Sequence, residues 1–280
     1  MLSYTLDSLL VPMSFWYVVA FGFGIIIGSF LNVYIYRFHT GKSLSGHSHC
    51  MSCGTRLRWF ELFPLMSYVV LRARCRTCSC RVTPRYFLVE FLTGALFSLV
   101  LTITTDLWQI LIFWTICSIL VVITVYDLYH FIIPDGLTLA LSVSAIVLLA
   151  YEYFVFGGDQ NRLAWTFGAA ILGSAFFLFL WVISKGRWLG FGDVKLAFPL
   201  GLLVGPGAVF SFVVLAFWVG AAISLLIIGV AKWSRGKDRL HLLGIDLTMK
   251  SAVPFAPFLV ASCLIILFTH FNALELFSFI

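Results

Sequence analysis

The chain has 280 residues, of which 61% are hydrophobic, 17% aromatic and only 11% charged, and its mean hydropathy is +1.04. That composition leaves too few polar residues to cover the water-facing surface of a soluble domain of this length, so the soluble classes are excluded. The net charge of +6, from 18 Lys+Arg against 12 Asp+Glu, is read as membrane topology and not as a nucleic-acid footprint.

In chain order, Met1 to Asp7 carry no basic segment, and Ser8 to Tyr36 then run 29 residues without a charge. This is too long for a signal-peptide core and reads as a first membrane span. A helix needs about 20 apolar residues to cross the hydrocarbon. Such runs fall near Val11–Tyr36, Phe87–Thr105, Leu107–Tyr126, Gly136–Phe156, Leu163–Ser184, Gly207–Ala231 and Ser251–Thr269, with a shorter one at Leu196–Val204. The expected fold is an all-α polytopic membrane protein of about eight transmembrane helices.

With eight passes and the N-terminus outside, loops 37–86, 127–135, 185–195 and 232–250 share one side. They hold 17 of the 18 cations, and only Arg162 falls opposite, so the positive-inside rule makes these loops cytoplasmic. Seven passes would put the last cluster, Lys232 to Lys250, outside. The resulting division is a first span at 1–37, a cytoplasmic unit at 38–86 and a membrane core of about seven helices at 87–280.

The cytoplasmic unit contains Cys50-Met-Ser-Cys53, then 21 residues, then Cys75-Arg-Thr-Cys78 and Cys80. Two C-x2-C knuckles suit a four-thiolate tetrahedral site, and a reducing compartment disfavours disulfides, so Cys50, Cys53, Cys75 and Cys78 are read as structural zinc ligands. Cys80, His47 and His49 are spare ligands. Cys117 and Cys263 fall in mid-span, where a cysteine is a small hydrophobe. Gly24 and Gly28 form a GxxxG, a helix-packing signature.

Ionisable residues beside membrane spans are costly and therefore functional candidates. Glu90, Asp127, Asp135 and Asp193 stand out. Asp127 closes the third span ahead of Pro134, and Asp193 lies in Gly190-Phe-Gly192-Asp193-Val-Lys195. In this topology both aspartates sit at cytoplasmic span ends and can meet at one depth. Two carboxylates close together share a proton, so one can act as general base on a water while the other protonates a carbonyl oxygen. The alternative is a pair of hydrated or helix-capping aspartates. Gly190 and Gly192 are expected to let the backbone unwind and approach another segment. Asp135 reads as a turn or N-cap residue, and Glu90 as a buried polar tie to Arg85 or a neighbouring span. Two other classes remain: a membrane scaffold that recruits partners through its zinc loop, and a proton-coupled transporter. The second is disfavoured because transporter acids belong near the bilayer midplane.

These motifs, together with Gly28-Ser-Phe-Leu-Asn32-Val, Arg85-Tyr86 and Val253-Pro254-Phe255-Ala256-Pro257-Phe258, resemble the type IV prepilin peptidases over nearly the whole chain. The resemblance implies a bacterial cytoplasmic-membrane aspartic endopeptidase with Asp127 and Asp193 as its catalytic pair. It implies Gly190, Gly192, Lys195, Pro134, Asp135 and Glu90 in support. It further implies prepilin or pseudopilin substrates with short basic leaders cut at the cytoplasmic face, and S-adenosylmethionine as methyl donor for the new N-terminus. Met51, Cys80 and Ala256 depart from the family pattern, and Ala256 is expected to narrow access beside the site.

Overall fold

The computed structural model describes residues 5–6, 11–38, 46–233, 240–242, 245–247 and 253–273. Asp7 lies outside them, as do five of the loop cations counted above, Lys42, Arg235, Lys237, Arg239 and Lys250. The described residues form α1 (Met13–Arg37), a 3-10 turn (Trp59–Leu62), α2 (Met66–Val70), α3 (Arg85–Val100), α4 (Leu107–His130), α5 (Asp135–Phe156), α6 (Gln160–Ser184), α7 (Phe191–Val204), α8 (Val209–Trp233) and α9 (Ala256–Thr269). A small antiparallel hairpin, β1 (Leu240–Leu242) paired with β2 (Ile245–Leu247), is the one strand element among them. The expectation of an all-helical chain did not include it; two three-residue alternations, Leu-His-Leu and Ile-Asp-Leu, are too short to register as a strand pattern in sequence.

Each of the eight apolar runs is a helix. Five are long and apolar enough to cross a membrane, namely α1, α4, α5, α6 and Val209–Gly229 of α8. At ~1.5 Å per residue, α3 with 16 residues and α7 and α9 with 14 reach only ~21–24 Å. Their surroundings explain how such short helices persist. Leu196 and Leu200 of α7 and Leu259 of α9 are fully buried beside Leu120 and Ile123 of α4, in one core that also holds Phe177 of α6 and Phe212 of α8. The outward positions are just as apolar: Phe154, Leu172 and Trp165 are 80%, 72% and 71% exposed. A chain apolar on both faces needs lipid, not water, as its solvent.

Helix caps are local and legible. Asp106 accepts from the N–H groups of Trp108 and Gln109 at the start of α4, and Asp159 from Asn161 at the start of α6. At the far ends, Phe131, Gly157, Lys185 and His270 close α4, α5, α6 and α9 in the left-handed conformation.

α1 and α3 pack antiparallel through small residues. A Cβ on Gly24 would lie 2.7 Å from Gly94 Cα, and one on Gly28 2.7 Å from Glu90 Cα. These neighbours are backbone and cannot yield, so the GxxxG is a packing seam as expected. Gly28→Leu is therefore expected to cost about 3 kcal/mol of stability. Gly22→Leu, whose Cβ meets nothing within 4 Å, is the control. Thermal unfolding in detergent separates them; equal midpoints for the two variants would show that the seam is not tight.

Candidate active site

Asp127 lies in the last turn of α4 and Asp193 in the first turn of α7; they are 5% and 6% exposed. Asp193 occupies the third position of α7, and its Oδ2 accepts from the backbone N–H of Gly190 at 3.1 Å. That bond is a helix cap and fixes the side-chain direction. The capping alternative is thus half realised: one carboxylate oxygen caps the helix. The other, Oδ1, is buried and has no hydrogen-bond partner. The carboxylate whose charge acts on Asp193 is Asp127. Asp127 in turn accepts from the backbone N–H of Ala256 at the start of α9. The fold thus brings together the two aspartates that the sequence places 66 positions apart, with one of their oxygens left free. Both acids lie in terminal turns, as the span-end placement required and as a midplane transport site would not.

The two glycines have separate jobs. Gly190 has extended backbone, and a Cβ there would stand 3.3 Å from Asp193 Oδ2. Gly192 is helical, and its Cβ would stand 3.1 Å from Ile133 Cβ in the α4–α5 connection. The expected close approach is present. The expected unwinding is not: α7 begins at Phe191 and runs through Gly192. The glycines set distance and leave the helix intact.

Of the neighbouring acids, Asp135 differs from expectation, and Glu90 is the buried tie to a neighbouring span. Pro134 is the N-cap of α5, with extended backbone at φ −65°, and Asp135 is the first helical residue, not the cap. Its Oδ1 lies 2.7 Å from Lys195 Nζ, a pair exposed on both sides. Exposed pairs contribute little, typically under about 1 kcal/mol. Asp135→Asn and Lys195→Ala should each change substrate turnover by less than about threefold, measured in membranes at fixed protein level; a loss as deep as that of an Asp127 variant would give Asp135 a chemical role. Glu90 is buried, and its Oε2 accepts from Leu65 N–H at 2.8 Å, with Ser29 of α1 also bonded to its carboxylate. It ties the cysteine-bearing segment to the α1–α3 pair. Arg85 points elsewhere, over the rings of Tyr86 and Tyr129 at 4.9 and 5.1 Å.

The cysteine unit is two copies of one turn. Cys50 N–H donates to Thr55 O and Gly54 N–H to Cys50 O; 25 residues on, Cys75 N–H donates to Cys80 O and Ser79 N–H to Cys75 O. Gly54 and Ser79 hold the same left-handed place, at φ 70° and 57°. The turns face each other, and the Sγ atoms of Cys50, Cys53, Cys75 and Cys78 all lie within 4.8 Å of one another. Cys50 and Cys78 are 3.8 Å apart, and a tetrahedral site with Zn–S of about 2.3 Å has sulfur pairs ~3.8 Å apart. The donor set and spacing fit zinc. The Thr55 hydroxyl, 3.3 Å from Cys53 Sγ, helps pull that thiol down to about 6, so it is readily a thiolate ligand. Cys80 takes the place that Thr55 takes in the first turn, with its sulfur 3.5 Å from Cys50 Sγ. His47 and His49 are not in the cluster of ligand atoms. Cys117 and Cys263 are buried in the helix core as expected.

Sequence reading missed two contributors to the acid pair. One is the Ala256 N–H, because a backbone donor leaves no residue-type signal, although the motif around Pro254 and Pro257 had placed Ala256 beside the site. The other is Ile133, the surface against which Gly192 packs.

Residues 23–104 match the bacterial peptidase A24 N-terminal domain family, and residues 114–225 the type IV leader peptidase family. Among curated proteins, the chain is 34% identical to a prepilin leader peptidase/N-methyltransferase of Myxococcus xanthus, over 75% of this chain and 63% of that one. It is 30% identical to the protein of that name from Burkholderia pseudomallei, over 85% and 80%, and 29% identical to that of Aeromonas hydrophila, over 86% of each. No solved structure matches the chain.

Proposed function

Because the chain belongs to the type IV leader peptidase family, whose members are peptidases that also act as N-methyltransferases, we propose that Asp127 and Asp193 form the acid–base pair that cuts a prepilin or pseudopilin leader. The observation that carries this is the buried Asp193 Oδ1, without a partner and under the charge of Asp127. A buried unpaired carboxylate oxygen costs about 1–3 kcal/mol or more, which a merely structural aspartate would not retain.

In the reaction one aspartate is ionised and the other protonated. The ionised carboxylate removes a proton from a water whose oxygen attacks the scissile carbonyl carbon. The protonated carboxyl gives its proton to the carbonyl oxygen, and a tetrahedral diol forms. Collapse of the diol passes a proton to the leaving nitrogen, which frees the new amine and restores the shared proton. Gly190 N–H holds Asp193 and Ala256 N–H holds Asp127, so neither carboxylate must reorganise first.

The same reading puts both acids at the cytoplasmic face of a bacterial cytoplasmic membrane. All eight apolar helices cross, the short α3, α7 and α9 lying among the five longer ones, and the N-terminus lies outside. The cation count of the loops supports that orientation, since Arg85, Lys185, Arg187 and Lys195 accompany the acidic pair at the same helix ends. Residues 38–86 act as a separate unit, and 87–280 as the membrane core that carries the acids.

Zinc is the metal we assign to Cys50, Cys53, Cys75 and Cys78. Bound there, it cross-links the two turns of a unit whose helix α2 has five residues, none buried. The zinc content of purified protein tests this: Cys75→Ser should bind less than half the wild-type zinc, whereas Cys80→Ser should keep about one ion per chain. Equal loss in both variants would make Cys80 a ligand.

A further inference from the structure

We propose that residues 59–70 are an interfacial anchor, a segment that lays its apolar side chains in the cytoplasmic leaflet while the arginines beside it bind the phosphates of anionic phospholipids. The proposal takes from the reading above only that α1 and α3 cross the membrane and that 38–86 lies on its cytoplasmic side. It does not depend on the acid pair.

The pattern starts in the sequence. Between Cys50 and Pro84 there are six arginines, from Arg56 to Arg81, and a single acid, Glu61. The stretch between Arg58 and Arg72 carries no cation and is mostly apolar. In a unit surrounded by water such a stretch would form the core. Here it lies outside: Trp59 and Val70 are 75% and 71% exposed, and Leu62, Phe63, Met66 and Val69 are exposed with them. Single exposed apolar side chains are ordinary, but six within twelve residues form a patch that needs a partner. The two cysteine turns, by contrast, expose Ser52, Thr55, Thr77 and Ser79. The unit therefore has a polar part and an apolar part.

Depth identifies the partner. Leu65 N–H donates to Glu90 Oε2 at 2.8 Å, and Ser29 of α1 bonds the same carboxylate. Glu90 lies five residues into α3 and Ser29 eight residues before the end of α1, ~8 and ~12 Å along those helices. The Tyr68 ring packs against Phe87 of α3, with centroids 5.4 Å apart. The middle of the patch is thus held below the cytoplasmic helix ends, near the ~5–10 Å at which interfacial helices lie in the boundary between headgroups and acyl chains. Leu65 itself is left-handed, at φ 58°, a conformation that a leucine disfavours. The bond to Glu90 pins this turn and with it the position of the patch.

The arginines supply the other half. Arg58 and Arg76 stand over the Phe60 ring, 6.0 and 5.4 Å from its centroid. Arg72 and Arg74 follow the patch directly, and all four are exposed. An apolar surface edged with guanidinium groups suits a leaflet rich in anionic phospholipid, whose phosphates accept paired N–H bonds from arginine. The same charge repels the basic leader of a substrate, so the patch is not its docking site.

The test uses the full chain in nanodiscs of equal parts phosphatidylglycerol and phosphatidylcholine, with photoreactive p-benzoylphenylalanine in place of Trp59, Val70, Thr77 or Ile26, one at a time. Ultraviolet light followed by peptide mass mapping should find phospholipid joined at positions 59 and 70 but not at 77, in the second cysteine turn. Phosphatidylglycerol should exceed phosphatidylcholine in these adducts at least about threefold, and Arg58→Gln/Arg72→Gln should bring the two to parity. Ile26, 59% exposed in the middle of α1, is the control and should give both lipids equally. Circular dichroism and zinc content show that each variant is folded. Lipid at 26 but none at 59 and 70, or adducts there to a second copy of the chain, overturns the anchor and leaves the membrane reading standing. No lipid at 26 overturns the membrane reading and the anchor with it. Parity of the two lipids at 59 and 70 with the arginines intact overturns their assignment to anionic phospholipid.

Discussion

Asp127→Asn and Asp193→Asn should each lower leader cleavage at least about 10³-fold, while expression, membrane insertion and zinc content stay at wild-type levels. Asparagine has nearly the shape of aspartate and keeps one carbonyl oxygen. In Asp193→Asn that oxygen can still accept from Gly190 N–H, and in Asp127→Asn from Ala256 N–H. The helix starts are therefore preserved, and what is lost is the capacity to take or give a proton. The two roles interconvert through the cycle, so neither variant keeps a working half. Cleavage of a prepilin in membranes at matched protein levels reads the effect. A residual rate above about a tenth of wild type in either variant would contradict an acid–base pair.

Gly192→Val should lower cleavage about 10²-fold with both aspartates intact. A Cβ at this position would stand 3.1 Å from Ile133 Cβ and 3.3 Å from two further atoms of that side chain, and valine adds two methyl groups beyond it. The α7 start must move away from the α4–α5 connection. Asp193 is one residue further on and moves with it, and a displacement near 1 Å is enough for a loss of this size. Ile133→Ala makes room and should restore at least a tenth of wild-type cleavage to the double variant. Without rescue, Gly192 would act through something other than its contact with Ile133.

Much of this arrangement was legible before any coordinates. Helix positions followed from apolar run length, since membrane spans have few competing solutions. The cysteine cluster followed from two identical short spacings, because a metal site needs its ligands on tight local turns. Topology put Asp127 and Asp193 at the same end of the bundle, where they could meet; that they pair was implied by the family resemblance and not by spacing. What was not legible depends on tertiary detail. Glu90 could equally have met Arg85 five residues away, but helix α3 turns that arginine toward Tyr86 and Tyr129 and leaves Glu90 facing Leu65. The glycines beside Asp193 suggested a loosened backbone, yet here small residues permit closeness within an intact helix.

The central claim is that the two carboxylates work as one unit, and the most direct test is the double variant Asp127→Asn/Asp193→Asn beside both single variants, with cleavage followed over long incubations. Groups that act together lose their whole contribution when either is removed. The double variant should therefore cleave no more slowly than the poorer single variant, within about threefold. Losses that multiply would show two independent contributions and contradict the shared-proton pair.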